Sequence, residues 1–312
     1  MKPIYEGSIT DVLGIRVGQA QNQEARTGVT VVLADGEGAT VAADVRGAAP
    51  GTRETDLCRP ENTVEKANAV VLAGGSAFGL AAATGVMEYL EKQNIGVDMG
   101  VCHVPIVPAA VVFDLMNGSA HVRPDAAMGI AACEAASKLV EQGAVGAGTG
   151  ATVGKMIPGA IPMQGGVGTA SIRLAGGVTV GAIVVVNACG DVFDIRDGKP
   201  LGCGHLPDGT PVLCEQMITA ALPDQAGKNT TIGVVATDAK LTKAQAQRMA
   251  TCAHDGYARA IRPVHTQMDG DTIFALATGE AEGTAHPVQL CAAAAEAMAR
   301  AINNAIAAVK RA

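Results

Sequence analysis

The sequence predicts a layered α/β protein with helices outside central sheets, and three observations carry that reading. Short β-branched runs alternate with longer Ala-rich segments of helical period. Glycine, at 39 residues, clusters between the apolar runs, where tight turns and close backbone approach call for it. Aromatics make up only 2% of the 312 residues and hydrophobic residues 48%, so Ala, Val, Leu, Ile and Met must fill a large core, in one domain or two.

Taken in order, Val29-Thr30-Val31-Val32-Leu33 and Ala69-Val70-Val71-Leu72-Ala73 read as buried strands. Ser76 reads as a helix cap, and residues 78–93 as a helix with Leu80, Met87 and Leu90 near one face. Pro124 and Asp125 open a second helix, expected to run to about Gln142 with Gly143 as its stop. Val178 to Val186 is a strand. A flexible-looking stretch, residues 222–228, precedes another strand at 231–236. Thr242 and Gln245 have capping-box spacing, which starts a helix burying Ala246, Met249, Ala253 and Ala260. Residues 272–277 form a further strand. The last helix sets Leu290, Ala294, Met298, Ile302, Ile306 and Val309 along one stripe.

The net charge of −7, without a basic tract, argues against a nucleic-acid partner. Residues 1–7 lack an apolar signal region, and the apolar runs are too short to span a bilayer. Eight cysteines, none in a Cys-x-x-Cys pair, read as reduced thiols of a cytoplasmic protein. The six histidines lack metal-ligand spacing, so no metal is assigned, and no cofactor is implied.

The step Asn229-Thr230-Thr231, opening the strand Ile232-Gly233-Val234-Val235-Ala236, carries the chemistry. A hydroxyl there can attack the preceding carbonyl and cut its own chain. The cut leaves Thr230 as a free N-terminus, whose α-amine accepts the hydroxyl proton. That amine has an ordinary pKa of about 7.7–8.0, so a useful fraction is neutral at physiological pH. The bland reading is a loop-to-strand junction.

Asp269-Gly270-Asp271 enters the strand 272–277; if already extended, both carboxylates point to one side and can orient a hydroxyl or an ammonium. Alone, the segment reads as a polar Asp-Gly turn. Gly146 to Lys155 resembles a phosphate loop at a glance, but Thr149 and Met156 break the pattern. Lys155 amid glycines can instead approach a reacting carbonyl, or be a solvated surface lysine. Asn187 ends its strand as either an oxyanion donor or a turn residue. Gly74-Gly75-Ser76-Ala77-Phe78 fails the nucleophile-elbow pattern at Phe78.

Together these segments resemble the L-aminopeptidase/D-esterase family, which includes β-peptidyl aminopeptidases and nylon-oligomer (6-aminohexanoate-oligomer) endohydrolases. The resemblance runs from Ser8-Ile9-Thr10-Asp11-Val12 through Val45-Arg46-Gly47-Ala48-Ala49-Pro50-Gly51 and Leu72-Ala73-Gly74-Gly75-Ser76 to the segments above. Asn229-Thr230-Thr231 and Gly148-Thr149-Gly150-Ala151-Thr152-Val153-Gly154-Lys155 are its most specific parts. It implies an αββα sandwich that cuts itself between Asn229 and Thr230. The products are a large segment (1–229) and a small one (230–312), both within one folded unit. It implies Thr230 as nucleophile, Asp269 and Asp271 as the acidic pair of the nylon-oligomer branch, Lys155 as the lysine and Asn187 as the oxyanion-type asparagine. The substrate is a small peptide or amide, and the cleaved protomers form a homo-oligomer, a tetramer. One departure stands out: a family tyrosine falls near Val111-Val112-Phe113-Asp114, which holds none. Acyl transfer of the ornithine acetyltransferase type is the competing enzyme reading, and a non-catalytic binding protein the other.

Overall fold

The structure is a computed structural model that describes residues 3–219 and 229–309. The stretch read as flexible-looking at 222–228 lies outside the described residues, as do Met1 and Lys2 of the amino-terminal reading.

Eleven strands and four helices frame the site. The strands are β1 (Ile15–Asn22), β2 (Thr27–Ala34), β3 (Ala39–Val45), β4 (Thr52–Arg53), β5 (Lys66–Ala67), β6 (Ala69–Ala73), β7 (Ala109–Val111), β8 (Gly166–Arg173), β9 (Thr179–Asn187), β10 (Thr230–Thr237) and β11 (Thr272–Ala277). The helices are α1 (Ala82–Glu91), α2 (Ala126–Glu134), α3 (Lys243–Ala260) and α4 (Pro287–Val309). One sheet has the order β1-β2-β6-β7-β4, the other β8-β9-β10-β11-β3-β5. The pairs β6/β7 and β10/β11 are parallel, and the remaining ladders antiparallel.

The sheets stack face to face. Val32, Val70 and Leu72 of the first meet Ile183, Val185, Ile232, Val234 and Phe274 of the second. Helices α1 and α2 cover the outer face of the first sheet, and α3 and α4 that of the second. This is the αββα sandwich expected. Period-2 alternation drives it: along β10, Ile232, Val234 and Ala236 face the inter-sheet core while Val235 faces the helices. The outer layer is thin because small residues line it. A Cβ added at Gly168 would lie 2.0 Å from the Ala301 carbonyl oxygen, so α4 rests directly on the strand backbone.

The strand expectations hold closely, and 272–277 is reproduced residue for residue. The capping box of Thr242 and Gln245 opens α3, and Ala246, Met249, Ala253 and Ala260 are buried along it. Three expectations fail. The helix read over 78–93 is a 3-10 turn at Ser76–Ala81 and an α-helix only over Ala82–Glu91. The second helix ends at Glu134 rather than about Gln142. There Ser137 bridges to Val17, and the Lys138 ammonium donates to the carbonyls of Thr10 and Ile15, so sheet pairing captures the chain before the helix can continue. Ser76 caps nothing through its side chain: it begins a 3-10 turn, with Gly75 in the left-handed region before it.

Strands from both sides of position 229 share the second sheet, where β10 lies between β9 and β11. The start of β10 is thus the meeting point of three adjacent inner strands.

Candidate active site

Thr230 is the first residue of β10 and is 5% exposed. Its Cα partner across the ladder is Asn187, the last residue of β9. The residue before it, Asn229, forms a parallel bridge with Asp269. The Thr230 hydroxyl donates to the carbonyl oxygen of Asn229, its own preceding peptide. The same oxygen accepts the Gly270 N–H at 3.0 Å. The Asn229–Thr230 carbonyl is therefore polarised by a backbone donor, with a hydroxyl beside it. Position 270 tolerates no side chain: a Cβ there would lie 2.6 Å from the Ala49 carbonyl and 2.9 Å from Thr230 Oγ1.

Lys155 reaches the same place from the Gly-rich segment. Its Nζ donates to the Asn187 carbonyl oxygen and to Asn187 Oδ1, both at 3.0 Å. Those acceptors are neutral, so burial dominates and pulls the ammonium down to about 7, against opposing contributions from Cys189 and Asp269. Asn187 Oδ1 also accepts the Thr152 N–H at 2.9 Å, and its Nδ2 donates to the Phe113 carbonyl at 3.2 Å. Asn187 thus anchors the lysine through its oxygen and uses one amide hydrogen on Phe113, in the segment where the family tyrosine is absent. Beside it, the buried Asp114 accepts from Thr27 Oγ1 and Gly75 N, both at 2.7 Å.

The two carboxylates have separate donors. Asp269 Oδ2 accepts the Thr266 N–H at 2.9 Å and the Thr266 hydroxyl at 2.5 Å. Burial raises its proton affinity, and the nearby Asp271 raises it further. Asp271 is 1% exposed. Its Oδ1 accepts the Thr231 N–H at 2.7 Å, and its Oδ2 accepts from the His265 backbone N–H at 3.1 Å and from His265 Nδ1 at 2.8 Å. A turn alone does not explain three charge-assisted bonds on one buried carboxylate. Residues 46–49 cover this loop: the Arg46 and Gly47 N–H groups donate to the Asp271 carbonyl and the Ala49 N–H to that of Asp269.

The structure therefore gathers Asn229, Thr230, Asn187, Lys155, Asp269 and Asp271 at one end of the inner strands. Two participants were not singled out from the sequence. In the sequence Gly270 is only a turn residue, because a backbone N–H leaves no mark on residue type. In the sequence His265 is one of six histidines without metal-ligand spacing, and it stands six residues before Asp271 in the same loop. No cluster of three metal-ligating side chains occurs among the described residues, and no helix among them is long and apolar enough to cross a membrane.

The αββα layering is shared with a solved aminopeptidase, and the relatives of the chain say which family it belongs to. Residues 7–312 match Peptidase family S58. The chain is 48% identical over 305 residues to an uncharacterized aminopeptidase of Mycobacterium leprae, covering 89% of this chain and 80% of that one. It is 34% identical over 281 residues to a 6-aminohexanoate-oligomer endohydrolase of Kocuria sp., covering 86% and 74%. Among solved structures, a Burkholderia sp. beta-aminopeptidase superposes with a TM-score of 0.71 at 26% identity, over 99% of this chain and 88% of that one. The chain belongs to Peptidase family S58, as a hydrolase of amide bonds.

Proposed function

We propose that the protein cuts itself between Asn229 and Thr230 and then hydrolyses small peptides or amides through an acyl-Thr230 intermediate. The observation that carries this reading is the Thr230 hydroxyl lying on the Asn229 carbonyl, whose oxygen also takes the Gly270 N–H. In the first reaction Oγ1 attacks the Asn229 carbonyl carbon and gives its proton to neutral Lys155. The oxyanion forms on the oxygen facing Gly270 N–H, a donor of the kind that contributes roughly 3–4 kcal/mol. The C–N bond then breaks, the proton passes to the leaving Thr230 nitrogen, and water hydrolyses the resulting ester. The products are an Asn229 carboxylate and a free Thr230 amine, in segments 1–229 and 230–312.

In the second reaction the same oxygen attacks the substrate carbonyl, with the Thr230 amine or Lys155 as base. Asp269 and Asp271 hold the ammonium and the strand in place, and the second amide hydrogen of Asn187 is a further oxyanion donor. Water releases the acid, without a cofactor. The relative acting on 6-aminohexanoate oligomers and the two aminopeptidase relatives support a short amide with a free amine as substrate. A cytoplasmic homotetramer of cleaved protomers completes the reading. Exposed apolar residues on the Val97–Val104 hairpin, Met99 and Val101 among them, support association.

The test is release of p-nitroaniline from amino-acid p-nitroanilides in buffer alone and with an added amine acceptor. Hydrolysis proceeds in buffer alone. Release that depends on the acceptor would instead identify an acyl transferase.

A further inference from the structure

Behind β10, on the side of the α3 helix, a cluster of His265, His254 and Tyr257 backs the Asp271 carboxylate. We propose that His265 is a positioning residue: its imidazole and its own N–H fix the Asp271 carboxylate, which fixes the Thr231 N–H and so sets Thr230 against its target. The proposal rests on the reading of Thr230 as nucleophile.

Three observations carry it. First, Asp271 divides its oxygens, Oδ1 for Thr231 N–H at 2.7 Å and Oδ2 for His265 alone, at 2.8 and 3.1 Å. Losing the imidazole leaves Oδ2 only the longer backbone bond at 3.1 Å, so the carboxylate is held less firmly about its last torsion and Oδ1 against Thr231 with it. Second, His265 has a φ of +57°, a left-handed conformation that folds both of its donors back onto one oxygen. The acceptor is a carboxylate, so Nδ1 carries the hydrogen. Nε2 is buried without a hydrogen-bond partner, so the ring spends its polarity on Asp271. Third, the ring is walled in: its centroid lies 4.8 Å from that of His254 and 6.0 Å from that of Tyr257. His254 is itself pinned through Nε2 to the Asp44 carbonyl at 3.0 Å.

A turn residue and a positioning residue respond differently to two substitutions. Asn and Gly both accept a left-handed φ. Only Asn places an N–H donor close to where Nδ1 stands. His265→Asn is expected to mature and turn over a p-nitroanilide within roughly threefold of the wild-type enzyme. His265→Gly is expected to mature slowly and to lose about tenfold or more in kcat with KM nearly unchanged, the signature of a lost transition-state arrangement. Melting curves accompany both. His265→Gln, which carries its amide near the Nε2 position, is expected to fail as Gly does and serves if the Gly variant does not fold. A Gly variant with wild-type kcat, or an Asn variant as impaired as Gly, would overturn the proposal. Wild-type protein that neither cleaves nor hydrolyses would instead sink the Thr230 reading beneath it.

Discussion

The front and back of strand β10 differ in what their polar groups are given to do. On the front, facing the inter-sheet core, Thr230 and Lys155 stand among neutral backbone acceptors that leave their reactivity available. On the back, Asp271 and His265 are bonded to each other and to the chain. The difference teaches that one strand end serves both chemistry and alignment: burial lowers a lysine's proton affinity even with Asp269 nearby, while a full set of donors makes a carboxylate a fixture.

The largest effect expected is at the front. Thr230→Ala removes the attacking oxygen, so maturation and turnover both disappear while the precursor still folds. Thr230→Ser keeps part of both. Gel analysis and p-nitroanilide turnover check this, and a Thr230→Ala variant that still matured would move the nucleophile elsewhere, to Thr231 or Ser76.

Lys155→Met comes next, with the maturation rate expected to fall about 10²- to 10⁴-fold, the usual share of a general base. In the wild type the rate should rise with pH through about 7, because the amine must be neutral to accept the proton. The folded value lies below the ordinary 10.5, so between about 7 and 10.5 the unfolded chain binds a proton that the folded one does not. This group's contribution to stability therefore rises with pH across that window and is lost as pH falls through it. A maturation rate flat from pH 6 to 8 would remove Lys155 as the base.

Much of this front was legible in the sequence. Asn229-Thr230-Thr231 before a buried strand reads by itself as a loop-to-strand junction, and Lys155 as readily as a surface lysine; it is the family resemblance that joins them into one candidate site. The strand pattern that brings them together was equally readable, since continuous apolar runs mark β9, β10 and β11 as strands buried on both faces. The back was not legible, because its agents are contacts rather than types. Nothing in Asp269-Gly270-Asp271 states that Asp269 would be held by Thr266 and Asp271 by Thr231 and His265, nor that a glycine N–H would polarise the carbonyl of Asn229. The start of α2 at Asp125 was legible and its end was not, for a similar reason: the bridge of Ser137 to Val17 is made across more than a hundred residues.

At the back, Asp271→Asn leaves one acceptor oxygen for three donors, so either Thr231 or His265 loses its partner. A loss of about 1.5–3 kcal/mol is expected, read as roughly ten- to a hundredfold in maturation and turnover and as a lower melting temperature. Asp269→Asn should weaken turnover with a smaller change in melting, since Thr266 can still donate to the amide oxygen. Near-normal turnover in both variants would return the pair to a turn.

Tyr257→Phe is the smallest effect. The hydroxyl is buried but bonds only to the Thr272 carbonyl at a long 3.5 Å, so a stability loss of about 1 kcal/mol or less and unchanged kcat are expected. A tenfold loss of kcat would show that the back of β10 takes part in chemistry and would erase the contrast drawn between its faces.

The central claim is that the Asn229–Thr230 bond breaks to make the enzyme. An intact-mass spectrum of the purified, active protein, with N-terminal sequencing of the smaller fragment, tests it most directly. The account predicts fragments of 229 and 83 residues, the second beginning Thr-Thr-Ile-Gly-Val. A fully active enzyme that remains one chain of 312 residues would contradict it.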